Sequence, residues 1–130
     1  MTADLGAFIR AMAASEFSWG EKDCALAIAD WWAANHGSDP AAHLRGAYAS
    51  DAACQDLLRR EGGLALLVRR MARSAGAARS AGDRAGDFAV IRHAGRHVGA
   101  IRSASGRWVV KSKDGVIAIR NARVVAAWSV

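Results

Sequence analysis

The feature that most constrains this chain is a change of hydrophobic period partway along it. Up to about residue 73 the large apolar residues recur at helical spacing, and beyond residue 86 they fall in short, strand-like runs. Between these regions, Ser74 to Gly86 holds no large apolar residue, only Ala, Gly, Ser, Arg and Asp. Helices followed by a set of antiparallel strands predict an α+β fold. With 130 residues there is chain for one core of ordinary size and too little for a second. The expected organisation is a single domain over 1–130, with a helical region over residues 1–73, a flexible joining loop over 74–86 and a β region over 87–130.

Local signals divide the helical region. Thr2 is placed to cap a helix carrying Leu5, Phe8, Ile9 and Met12 that ends near Ser15. Phe17-Ser18-Trp19-Gly20 then reads as a loop. Asp23 suits the cap of a helix from Cys24 through Ala25, Ile28 and Trp32 to about His36, stopped by Gly37. Of Trp31 and Trp32, one is expected in the core and the other over the sheet or lining a cleft. Pro40 fits the first position of a short helix capped by Asp39. Ser50 or Asp51 starts a helix bearing Leu57 and Leu58 that halts at Gly62-Gly63, and Leu64 to Met71 reads as one more. Five strands follow as a meander: Phe88–Arg92, His97–Arg102, Trp108–Lys111, Val116–Ile119 and Val124–Trp128. They are separated by turn residues at Ala94-Gly95, Ser105-Gly106, Asp114-Gly115 and Asn121.

Charge is as uneven as the period. Residues 1–58 sum to −5 and residues 59–130 to +11. The basic second half is compatible with an anionic partner. Its arginines, however, are dispersed through helix, loop and strand, with no recognition helix or stacking platform, so no nucleic-acid partner is expected. No apolar run is long enough to span a membrane, and Asp4 and Arg10 interrupt the N-terminal apolar residues, so no export signal is read and synthesis in the cytoplasm is expected. Two cysteines thirty residues apart make no disulfide scaffold. Cys24, Cys54, His93 and His97 lack the closely spaced ligand pairs of zinc sites, so neither a metal nor another cofactor is expected.

Cys24 is the residue that most invites a chemical reading. A cysteine in the first turn of a helix sits among unpaired backbone N–H groups at the positive end of the dipole, and both favour thiolate. Free cysteines are also among the most buried residues, so position alone leaves core and catalyst open. His97 begins a strand in which alternation puts His97, Gly99 and Ile101 on one face, and Gly99 is consistent with a close backbone approach. Alone, His97 also reads as an exposed strand-end histidine.

The order of these residues is similar to that of the NlpC-type cysteine peptidases of the papain-like superfamily. The resemblance is carried by Phe17-Ser18-Trp19-Gly20-x-x-Asp23-Cys24, by Gly86-Asp87-Phe88-Ala89-Val90 and by His97-Val98-Gly99. Asp30-Trp31, Gly37-Ser38-Asp39-Pro40, Arg45-Gly46-x-Tyr48, Gly62-Gly63, Asp114-Gly115 and Ala127-Trp128 look like the pattern of an uncharacterised phage and prophage subgroup. The likeness runs through nearly the whole chain. It implies a papain-like fold with N-terminal helices packed on a C-terminal antiparallel sheet.

The same resemblance implies a Cys24 nucleophile, His97 as its base, and a site lined by Phe17, Trp19, Gly20, Asp23 and Gly99. Its implied substrate is an amide bond of a bacterial cell-wall peptide, typically one involving D-amino acids, and its implied partners are phage tail proteins, with the virion tail as the place of action. Phe17 stands where the family usually has tyrosine. The polar residue that orients the histidine falls at apolar Val110, with Ser112 and Lys111 as the polar candidates nearby. A second reading keeps the fold and drops the chemistry: a non-catalytic tail-assembly or binding module.

Overall fold

Four helices precede five strands, in a computed structural model that describes residues 1–130. Helix α1 (Leu5–Ala14) is capped by Asp4, whose carboxylate accepts the Ala7 N–H. Thr2, the expected cap, instead bonds the side chain and carbonyl of Asn35. A cap must stand directly before the first helical residue to reach the free N–H groups, and with Leu5 first that position belongs to Asp4. Helix α2 (Cys24–His36) begins and ends as the sequence predicts, capped by Asp23 and terminated by left-handed Gly37. Asp39 does hold the Ala41 N–H, but Pro40 lies in a turn ahead of a single 3₁₀ turn, Ala42–Leu44.

Helix α3 (Asp51–Glu61) is capped by Ser50, and α4 (Leu64–Ala75) runs one turn beyond Met71. The extension follows from Ala72, which continues the buried stripe of Leu64, Leu67, Val68 and Met71, and from the helix preference of alanine. The expected loop therefore shortens to 76–86, and it is not free. Ser80 N–H donates to the Ala127 carbonyl, Ser129 N–H donates to that of Ala78, and Asp87 accepts from Ser80 Oγ. A segment of small residues can lie flat against the sheet, and Gly82 sits against the Trp108 ring.

The strands β1 (Phe88–His93), β2 (Arg96–Arg102), β3 (Trp108–Ser112), β4 (Gly115–Ile119) and β5 (Arg123–Trp128) form one antiparallel sheet in the order β4-β3-β2-β1-β5. The simple meander thus fails at its last step, because β5 crosses back to the free edge of β1. That pairing stacks Trp128 on Phe88 at 5.7 Å and seats both in the main core. Both faces of the sheet are buried. Phe88, Val90, Ile101, Val109 and Trp128 meet the helices, while Ala89, Ile91, Ala100, Trp108, Val110 and Ala127 build a second, smaller core.

Helix α2 is the central helix and lies on β2. Both of its tryptophans are buried, and neither lines the cleft described below. Trp31 reconciles its polar edge with full burial by donating Nε1–H to the Gly86 carbonyl at 2.8 Å.

Candidate active site

The loop before α2 is a tight hairpin. Ser18 and Lys22 exchange backbone hydrogen bonds of 3.1 and 2.7 Å, which brings Phe17 and Trp19 edge to face at 4.9 Å. Gly20 is required at its tip: its φ is 81°, and a Cβ there would lie 2.1 Å from the Tyr48 carbonyl oxygen. The Gly46 N–H completes the seam by donating to the Gly20 carbonyl.

Asp23 is the polar hinge of this arrangement. Its side chain is 1% exposed, and burying a carboxylate is costly unless donors surround it. Three do. Oδ1 accepts the Leu26 N–H at 3.0 Å as a helix cap, and Oδ2 accepts the Gly20 N–H at 3.0 Å and the Tyr48 hydroxyl at 2.6 Å. One residue therefore starts α2, closes the loop and anchors the 46–48 segment. Tyr48 had no role in the sequence beyond the resemblance, because its partner is 25 residues away. Burial and the hydrogen bond to Asp23 push its phenol far above the usual range, so it remains a donor.

Cys24 is half-buried where α2 meets β2. Gly99 makes the approach possible, since a Cβ there would stand 2.6 Å from the Cys24 carbonyl oxygen. Burial is the largest influence on the thiol and pushes it up; the Gly99 N–H pulls it down, the Asp23 carboxylate raises it, and Arg96 and its own N–H lower it. The balance is upward. The thiolate favoured by the helix start alone is therefore not the resting state, because desolvation outweighs the N–H groups.

Cys24 and His97 line the same cleft, about 290 Å³ in volume, together with Phe17, Trp19, Asp23, Lys111 and Ser112. Gly20 and Gly99 lie outside its lining and act as spacers. The cleft thus joins the loop before α2, the first turn of α2, and β2 and β3. His97 is exposed, and no side chain hydrogen-bonds its ring.

Neither candidate for orienting the histidine does so. Ile101 pairs with Val109, so Val109 and Lys111 share the His97 face of the sheet, while Val110 belongs to the opposite core. The Lys111 ammonium donates to the carbonyls of Met12, at 2.8 Å, and Ser15, closing the end of α1. Burial first, and Lys22 second, lowers its affinity for a proton. Ser112 pairs with Gly115 at a hairpin end and makes no side-chain hydrogen bond.

Two further groups complete the cleft. Cys54 of α3 contributes a second thiol, pushed up to about 11 by burial and then by Asp23 and Cys24. Arg96 of β2 reaches across to Asp51 of α3 at 3.0 Å, so the basic sheet and an acidic helix meet at the cleft mouth. A family model described as Domain of unknown function (DUF6950) matches residues 1–130. No curated protein and no solved structure matches the chain.

Proposed function

The chain belongs to the DUF6950 family, and we propose that it is a small papain-like, NlpC-type cysteine peptidase or amidase acting on bacterial cell-wall peptides from a phage or prophage tail. The observation that carries the reading is that Cys24 and His97 line one cleft, on two elements that Gly99 allows into close backbone approach. The sequence resemblance supplies the substrate class and the tail setting.

The chemistry follows from the thiol being protonated at rest. Cys24 Sγ attacks the scissile carbonyl carbon as His97 takes its proton, and the carbonyl becomes an oxyanion beside the free N–H groups of the first turn. The C–N bond then breaks, His97 returns the proton to the departing amine, and the acyl group remains on sulfur as a thioester. Water attacks that thioester with His97 as base, which releases the acid and restores the thiol. Phe17 and Trp19 supply an aromatic wall for the acyl side.

A second reading has its own observation. The ring of His97 is held by no side-chain hydrogen bond, and Phe17 supplies no hydroxyl, which favours a tail-assembly or binding module that keeps the fold without turnover. Incubation with purified peptidoglycan separates the two. The peptidase releases new amino groups; Cys24→Ala abolishes the release, and His97→Ala reduces it by at least about 100-fold. Wild-type protein that sediments with the wall polymer and releases no amine over an extended incubation overturns the enzyme and identifies the module.

A further inference from the structure

On the His97 side of the cleft lies an open groove of about 510 Å³, lined by Arg59 of α3, Arg92 of β1, and Arg96 and His97 of β2, with no carboxylate in its lining. Arg96 and His97 belong to both groove and cleft, as do Leu58 and Leu64, whereas Cys24 lines only the cleft. The two spaces therefore adjoin at the histidine. The groove is bare at its turns: a Cβ added to Gly63 or Gly95 would meet nothing within 4 Å. Arg92 and His97 are direct partners across β1 and β2, hence on one face and about 5 Å apart at their Cβ atoms.

The three arginines are not equivalent. Arg59 is paired with Asp56 and Arg96 with Asp51, but Arg92 makes no ion pair. One free guanidinium beside two compensated ones suits a single anionic group better than a polyanion, and its planar fork suits a carboxylate.

We infer that this groove is a specificity site for a carboxylate on the leaving-amine half of the substrate, with Arg92 as its ligand. The inference rests on the proposed hydrolase reading for its direction. His97 protonates the amine, so the departing half lies on the histidine side of Cys24 and runs into the groove, while the acyl half stays on the sulfur.

The test uses two N-acetylated cell-wall stem peptides, identical except that one ends in a free carboxylate and the other in a carboxamide. For the wild type, kcat/KM favours the acid by about two- to fivefold, the range one solvent-exposed charge pair is worth. Arg92→Gln brings that ratio to about one. Calorimetric binding of both peptides to the Cys24→Ala protein reads the groove without turnover. Acid-selective binding that Arg92→Gln removes, together with a wild-type protein that hydrolyses neither peptide, upholds the groove and sinks the peptidase. Equal hydrolysis of acid and amide sinks the groove and leaves the peptidase standing. Equal or absent binding of the two peptides, or a preference that survives Arg92→Gln, also overturns the inference.

Discussion

Tyr48→Phe tests the polar hinge on which the site is built. The hydroxyl lies 2.6 Å from Asp23 Oδ2, and Asp23 is 1% exposed, so water cannot replace the lost donor. A hydrogen bond to a charged group is worth about 1.5–3 kcal/mol. For 130 residues, an unfolding entropy of about 2.1 cal/mol/K per residue turns that loss into a fall in Tm of about 5–11 °C. The thiol reports the same change by another route. The Asp23 carboxylate already raises Cys24, and stripping away a donor that offsets its charge raises the thiol further. Calorimetry should therefore show the lower Tm, and iodoacetamide alkylation of Cys24 followed against pH should move to higher pH. Asp23→Asn removes the charge and should move it the other way. A Tyr48→Phe protein melting within about 2 °C of wild type, with an unchanged alkylation profile, would falsify the hinge.

Gly99→Ala places a Cβ 2.6 Å from the Cys24 carbonyl oxygen. The start of α2 must shift off β2 at a cost of about 1–3 kcal/mol, read as a lower urea midpoint; an unchanged midpoint means that the contact has slack. Alkaline pH should loosen the fold through its cleft thiols. The Cys54 thiol is raised from 9.0 to about 11, so the fold prefers its protonated form. Its contribution to stability is complete below pH 9.0 and lost as pH rises towards about 11. Urea melts across that window should fall less steeply for Cys54→Ala than for wild type, and parallel curves would show that Cys54 is not the group responsible.

What the sequence disclosed and what it withheld divide by the range of the interactions. Caps and turns are local, so Asp23, Gly37, Ser50 and Gly62 could be read from their neighbours, and strand boundaries followed from turn residues. The return of β5 to β1 was hidden because it depends on the long-range packing of Trp128 against Phe88. The end of α4 is hidden in the sequence because alanine and arginine suit a helix and a loop alike, and only the burial of Ala72 distinguishes them. Within the candidate site, Cys24, His97, Phe17 and Trp19 came from the family resemblance, and all four line one cleft. The roles of Tyr48 and Arg96 were not legible, since each acts on a partner far along the chain. The direction of the Cys24 shift was withheld for the same reason: dipole and N–H groups are local, but the burial that outweighs them comes from the sheet.

The two-halved charge of the chain gains a specific meaning at this cleft. The acidic half brings Asp23 and Asp51 to it, and the basic half brings Arg96, Lys111 and Lys113. These charges do not sum to a general attraction. Asp23 is buried beside the thiol and opposes its ionisation, while Arg96 favours ionisation from an exposed position and is shared with Asp51. The buried charge is weakly screened and the exposed one strongly, so added salt removes more of the favourable influence than of the unfavourable one. Salt should therefore raise the Cys24 thiol further. On the proposed reading, an anionic leaving half held by Arg92 in the neighbouring groove adds negative charge on the histidine side of the thiol and has the same sign of effect. On that reading, a thiol disfavoured as an ion at rest, and more so with substrate bound, acts only if His97 takes its proton during the attack, which makes the thiolate a transient of the proposed reaction.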